Sequence, residues 1–304
     1  MSTTRDAASH TAVVVLNWNG WRDTIPCLES LGAMEDVPAV FVVDNGSSDD
    51  SVARIRSAAP WAELILLESN RGFGAGINAG IAAALDQDPP YVYIWVLNND
   101  TLVERETLAR MVTIADGDPT IGIVGSRLIY ADGSGRVQAL GGGRIHRLVG
   151  KTSWYEQPTM RSCDYLTGAS LLLRRALLLD IGGFDERFFF FFEDVDLSVR
   201  ARQAGWRLAV AADATVLHRS GSTVNRGARM PSLASDVQYA RSAAIFLSSL
   251  PMPMCLVAIP VRLAAELAKR LKRRQPERLL PIARAYAGGL RIGRHSPRIP
   301  TFRR

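Results

Sequence analysis

Residues Tyr91–Asp100 read YVYIWVLNND. Seven aromatic and aliphatic residues in a row predict a strand buried on both faces, and the polar Asn98, Asn99 and Asp100 mark its end. The plan recurs upstream. AVVVLNWNG (Ala12–Gly20) and AVFVVDNGSSDDS (Ala39–Ser51) each pass from a β-branched run into polar residues, and AELILLE (Ala62–Glu68) supplies a further short run. Segments of helical character lie between them, at Asp23–Leu31, Asp49–Ala58 and Gly76–Leu85. Apolar strands alternating with helices predict an α/β, Rossmann-like domain, mostly parallel, with helices on both sheet faces. In such sheets ligands bind outside the carboxyl ends of the strands. Asn17, Asp44 and the Asn98–Asp100 triplet would therefore face one cleft.

Beyond the first half, the Gly-rich ADGSGRVQALGGGRIHRLVG (131–150) reads as a mobile loop, and TGASLLLRR (167–175) as a strand entering a helix. FFFFFEDVDLSVR (188–200) runs five phenylalanines into Glu193, Asp194 and Asp196, at the start of a helix closed by Gly205. Acids suit a helix N-terminus, but burying a carboxylate is costly unless it is paired. The stretch is either a buried turn with an acidic helix start or a catalytic base at a pocket edge. LAVAADATVLH (208–218) reads as a short strand pair ending in His218, and from about Leu233 onward the chain reads as a helical appendage.

Each polar strand end has an ordinary reading and a functional one. Asn98 and Asp100 either form a turn through their own backbone hydrogen bonds or offer oxygen ligands to a divalent cation. Asp44 is either a helix-capping turn residue or an acceptor for a base or ribose. SNRGFGAGINAG (69–80) places Gly72, Gly74 and Gly76 before a helix, where backbone N–H groups could approach a phosphate beside Arg71. Its spacing departs from a dinucleotide fingerprint. His218 is a packed residue unless Asp100 holds a metal, in which case it becomes a second ligand.

Composition narrows the class. With 304 residues, 47% of them hydrophobic, the chain can bury a large core. Three scattered cysteines fit a reducing cytosol rather than a disulfide scaffold, and the polar start shows no secretory signal. The net charge of +6 is uneven: residues 262–304 carry 13 Lys+Arg against 2 Asp+Glu, and the rest 23 against 28. Such a tail suggests an anionic partner. The 243–261 run is broken by prolines and serines and makes a poor spanning helix. The 261–274 segment reads as a basic amphipathic helix, either docked on an anionic membrane or packed with a solvated basic face. No aromatics interleave the basic tail, so nucleic acid is not an expected partner.

Taken in order, VVVLNWNG, VVDNGSSDDS, NRGFGAGINAGI, LNND, LTGASLLLRR, GGFDERFFFFFEDVDLSVRARQAGW and ATVLHRSGS resemble the family 2 inverting glycosyltransferases of the GT-A fold. The bacterial rhamnosyltransferase-like branch, which includes galactofuranosyltransferases, is the nearest in pattern. The resemblance spans Thr11 to Ser222. It implies a GT-A domain over 11–225, which the basic helical appendage read over 233–304 follows. It places Asn17, Asp44, Arg71, Asn98 and Asn99 on the donor side. Asp100 and His218 would hold Mg²⁺ or Mn²⁺, with Asn98 replacing the usual first acid of the metal motif. Asp194 would be the catalytic base, with Glu193 as the alternative, and Thr167, Gly168, Ala169 and Trp206 would lie on the acceptor side. The implied reaction transfers a sugar, dTDP-L-rhamnose being the first expectation and a UDP-linked donor the alternative, to a glycan or polyprenyl-linked acceptor. The implied place is the cytoplasmic face of the cell membrane, with homo-oligomers compatible. A sugar nucleotidyltransferase would instead carry a Gly-rich basic loop where NWNGWRD stands. A dehydrogenase reading of GFGAG would need NADH binding.

Overall fold

The computed structural model describes residues 5–147, 149–156, 163–219 and 232–302. The chain runs α1 (Arg5–Ser9), β1 (Thr11–Asn17), α2 (Trp21–Gly32), β2 (Ala39–Asp44), α3 (Ser51–Ala58), β3 (Glu63–Leu66), α4 (Phe73–Leu85) and β4 (Tyr93–Asn98). There follow β5 (Thr101–Val103), α5 (Thr107–Asp116), β6 (Ile121–Tyr130), β7 (Val137–Leu140), β8 (Gly142–His146), β9 (Lys151–Trp154), β10 (Tyr165–Leu166) and β11 (Ser170–Arg174). The remainder is α6 (Arg175–Ile181), α7 (Glu193–Gln203), β12 (Arg207–His218), α8 (Leu233–Ser248), α9 (Met254–Lys272), a single 3₁₀ turn (Pro276–Arg278) and α10 (Leu279–Gly293).

The main sheet has the order β3-β2-β1-β4-β11-β6-β12-β5, with β7 paired to β6. Strands β3, β2, β1, β4, β6 and β12 run one way, while β11, β5 and β7 run the other. Successive residues of a strand face opposite sides, and here both sides are covered. Val13 and Val15 pack with Leu28, Ile55 and Met111 on one side. Ala12 and Val14 pack with Ile77, Ile81 and Leu177 on the other. This explains the unbroken apolar runs.

Register positions the polar ends. Asn17 stands opposite Asp44, Asn98 opposite Leu16, and His218 opposite Thr101. The reversed strand β11 pairs Ser170 with Leu97, so the residues preceding it, Gly168 and Ala169, lie at the carboxyl edge of β4.

Several expectations need correction. The Gly-rich 131–150 segment contains β7 and β8, and with β9 and β10 it builds a second, three-stranded sheet in the order β10-β8-β9. Its glycines permit close backbone approach: a Cβ on Gly142 would lie 2.0 Å from the Tyr165 carbonyl oxygen. The 208–218 run is one long strand with a register shift between Ala211 and Thr215, not a pair. The glycines of SNRGFGAGINAG serve mainly to pack a helix rather than to form a loop. Gly74 and Gly76 lie within α4, and a Cβ on Gly80 would meet Val14 Cγ1 at 2.4 Å. The first donors are already used, Gly72 N–H by Asn70 Oδ1 and Phe73 N–H by the Phe189 carbonyl. These glycines let α4 lie close on β1.

The helices α8 to α10 share a core with the phenylalanine run: Phe188, Phe192 and Val195 are buried with Phe246, Ile282 and Tyr286. Helix α9 departs in part from the expected face: Leu263 and Leu267 pack inward, but Leu271 is exposed and two arginines are buried. Arg262, Glu266 and Arg270 point inward with Ala258, because Arg262 pairs with Glu266 at 2.8 Å and Arg270 with Asp236 of α8 at 2.6 Å. Those two arginines are thus unavailable to a lipid surface. The expected domain end at 225 and the Gly221–Ser222 end of the last motif lie outside the described residues.

Candidate active site

The polar residues at the ends of β1 and β2 form a hydrogen-bonded chain along the sheet edge with Thr24 and Asn99. Asp44 accepts from Ser47 N–H (2.9 Å), Ser47 Oγ–H (2.7 Å) and Asn17 Nδ2 (2.8 Å). Asn17 Oδ1 accepts from Thr24 Oγ1 at 2.8 Å, and Thr24 Oγ1 in turn accepts from Asn99 Nδ2 at 2.9 Å. Thr24 and Ser47 were not singled out by sequence, since a hydroxyl in a helix or turn carries no distinguishing pattern. Arg71 donates its N–H to Asn45 Oδ1 and pairs with Glu186 at 3.4 Å.

At the next strand end, Asp100 Oδ1 lies 3.2 Å from His218 Nε2, and both residues are buried. The other ring nitrogen, Nδ1, is 2.9 Å from Gln138 Oε1. An amide oxygen only accepts, so Nδ1 donates to Gln138 and the ring is fixed with Nε2 facing Asp100. A carboxylate oxygen and an imidazole nitrogen thus meet at one point, two ligand types that divalent cations take. Asn98 adds a buried Oδ1 without a hydrogen-bond partner, while its Nδ2 lies 3.5 Å from His218 Nε2. Asp100, His218 and the free Asn98 Oδ1 thus present a donor set that fits a divalent cation. Among the described residues no group of three His, Cys, Asp or Glu side chains forms a complete metal cage. Gln138 was missed by sequence because it orients His218 from 80 residues away, out of a segment read as loop.

The opposite wall is the start of α7. Gly168 N–H donates to Asp194 Oδ2 at 2.8 Å, and Val195 N–H to Oδ1 at 2.8 Å. The next carbonyl, that of Ala169, accepts from Asn98 N–H at 3.0 Å. One short bridge of backbone thus joins Asp194 to the Asp100–His218 edge. Thr167 donates its N–H to the Gly141 carbonyl, fixing the same turn to the second sheet. Burial raises the Asp194 pKa above the usual carboxylate range, and the backbone N–H donors pull it partly back. Glu193 is buried with Oε2 unpartnered, and burial followed by the Asp194 charge pushes its pKa well up. The two acids are therefore not equivalent: Asp194 remains partly exposed, whereas Glu193 faces inward.

The turn leading in is strained. Phe191 and Phe192 hold φ of 71° and 69°, a region that bulky residues rarely enter. The Phe189 carbonyl accepts from Phe73 N–H, and the Phe190 carbonyl from Ser242 Oγ of α8. Trp206 does not belong to this site. Helix α7 carries the chain about 1.5 Å per residue away from Asp194, and Trp206 sits at the amino end of β12, bonded to Asp180 at 2.8 Å.

A mixed α/β sheet whose acids and histidine gather at the carboxyl edge, with an inserted reversed strand, is the architecture of the GT-A glycosyltransferases. A mannosyltransferase from Pyrobaculum calidifontis, solved with GDP-Man and Mn²⁺, superposes with a TM-score of 0.56 at 18% identity over 91% of this chain and 74% of that one. The 1–349 portion of S. aureus TarS does so with 0.53 at 16% identity, over 92% and 91%. The sequence profile described as Glycosyl transferase family 2 matches residues 12–182, and the chain belongs to that family. It falls in the rhamnosyltransferase-like branch: it is 31% identical over 222 residues, 66% of this chain and 72% of the relative, to the N-acetylglucosaminyl-diphospho-decaprenol L-rhamnosyltransferase of Mycobacterium tuberculosis H37Rv. Succinoglycan biosynthesis protein ExoO of Rhizobium meliloti is 35% identical over 113 residues, 36% of this chain and 31% of that one. The protein is a glycosyltransferase of the hexosyltransferase class.

Proposed function

We propose that this enzyme transfers L-rhamnose from dTDP-rhamnose, with inversion at the anomeric carbon, to a hydroxyl of a lipid-linked glycan in cell-envelope polysaccharide synthesis. The observation that supports the reading is the backbone bridge from Asp194 through Gly168 and Ala169 to Asn98, which ties that acid to the strand edge carrying Asp100 and His218. The mycobacterial relative, named for rhamnose transfer to N-acetylglucosaminyl-diphospho-decaprenol, supports the donor and acceptor classes.

Asp194 takes the proton of the acceptor hydroxyl as that oxygen bonds to the anomeric carbon. The bond from that carbon to the diphosphate oxygen breaks on the opposite face, and the nucleoside diphosphate leaves. The Gly168 and Val195 N–H groups hold the Asp194 carboxylate in position, and its raised pKa strengthens it as a base. The Asp44–Asn17–Thr24–Asn99 chain fixes the donor edge. Asp100 and His218, with Asn98 beside them, would hold Mg²⁺ or Mn²⁺, which would supply positive charge for the diphosphate leaving group.

Thermal unfolding with dTDP, UDP or GDP, each with and without Mn²⁺, tests the donor, since a ligand at about 100 times its dissociation constant adds roughly 2.7 kcal/mol. Manganese-dependent stabilisation by dTDP alone is expected. The same response to UDP alone would change the donor, and silence to all three would sink the reading. Asp194→Asn should lower turnover about 10²- to 10⁴-fold while keeping the nucleotide shift. Retained turnover in that variant would remove Asp194 as the base.

A further inference from the structure

Helix α9 buries three charged residues beside Ile259, Leu263 and Leu267, and leaves a second apolar stripe outside. Arg262, Glu266 and Arg270 line the buried stripe, tied to Tyr239 and Asp236 of α8. The outer stripe carries Leu256, Val257, Val261 and Leu271, which are 60%, 49%, 40% and 59% exposed, separated by exposed alanines. Met252, just before the helix, is 68% exposed. Large apolar side chains aligned on one outward face are not the ordinary scatter of surface residues and mark an interaction surface. The reason for this arrangement is internal. Asp236 on α8 needs a cation, Arg270 provides it, and seating Arg270 inward leaves Leu256, Val257, Val261 and Leu271 on the outer side.

The occupant follows from charge. Lys269, Lys272, Arg273 and Arg274 are exposed where the apolar stripe ends. Residues 262–304 carry 13 basic side chains against 2 acidic ones, while the rest of the chain is net acidic. This polarity orients the α9 end of the molecule toward a negative plane and the body away from it. Among the described residues no helix is long and apolar enough to cross a membrane. A helix with one apolar face and a basic end suits the boundary between headgroups and acyl chains.

We propose that the outer face of α9 docks the enzyme on an anionic bilayer, with Leu256, Val257 and Val261 among the acyl chains and residues 269–274 among the headgroups. The inference stands apart from the choice of sugar, and it replaces the basic stripe expected from sequence with an apolar one flanked by charge.

The test is co-sedimentation of the full chain with vesicles of phosphatidylcholine alone or mixed with phosphatidylglycerol, at low and high salt. The expected result is binding to the mixed vesicles only, weakened by salt. Val257→Glu with Val261→Glu should lower partitioning at least about tenfold, because each glutamate places a charge in the apolar boundary. Lys272→Gln, Arg273→Gln and Arg274→Gln together should lower it about fivefold per charge removed. These side chains face solvent, so both variants should keep the unfolding midpoint, and the charge variant decides the matter if the glutamate variant fails to fold. Equal partitioning onto both vesicle types, or glutamate variants that bind like wild type, would overturn the proposal. So would a wild-type dimer in solution that the glutamates dissolve, which would assign the face to a second copy. No sugar or acceptor enters the assay, so its outcome is separate from that of the transfer assay.

Discussion

Glu193 and Asp194 are chain neighbours with opposite surroundings. Asp194 reaches the opening and takes two backbone N–H donors, whereas Glu193 is buried with an unpartnered oxygen. The acid-rich helix start was legible, but which acid faces outward was not, because the strained φ values of Phe191 and Phe192 set the rotation of the first turn. The linkage sign for Glu193 is definite. Its folded pKa is raised from 4.5, so between 4.5 and the raised value the folded state binds the extra proton and stability falls as pH rises. Replacing it by glutamine removes that cost. Glu193→Gln should therefore unfold at a higher temperature than wild type near pH 7.5, the gain shrinking below pH 4.5, with turnover retained. An equal midpoint at both pH values would contradict the buried setting, and lost turnover would move the base role to Glu193.

At the scale of elements, the strand runs and their polar ends were readable from period and composition, since both-face burial demands unbroken apolar residues. Glycine was the misleading signal. A glycine needed for close packing and one needed for a loop look alike in sequence, and only the neighbour decides. A Cβ at Gly80 would lie 2.4 Å from Val14 Cγ1 and 2.9 Å from Val43 Cγ2. Gly80→Ala should thus cost about 1–3 kcal/mol through overpacking, more than the helix propensity it gains. At Gly288 in α10 a Cβ meets nothing within 4 Å. Gly288→Ala should stabilise by about 0.5–1 kcal/mol. Urea unfolding of both variants checks the pair, and similar signs for the two would undo the packing explanation.

Across the whole molecule, the C-terminal helices complete the wall behind α7. Phe192 packs on Tyr239 and Phe246 of α8, and Asp236 of α8 binds Arg270 and Arg278 at 2.6 Å each. Asp236→Ala leaves buried Arg270 with only Glu266, at 3.6 Å, as a carboxylate partner, which should cost about 3 kcal/mol in urea unfolding, the low end for a broken buried pair. Because α8 and the phenylalanine turn share a core, the same variant should lower transfer activity at temperatures where the rest of the chain stays folded. Full activity up to the unfolding transition would show that the appendage does not support the site. Sequence alone was enough for the α/β class, the polar strand ends, the family resemblance and the basic tail, because each rests on local pattern and on residues close in the chain. It was not enough for the Gln138 partner of His218, the removal of Trp206 from the site, the strand character of 131–150 or the inward turn of Arg262 and Arg270. Those depend on register, on backbone approach across a sheet and on ion pairs between helices, which exist only once residues tens of positions apart are brought together.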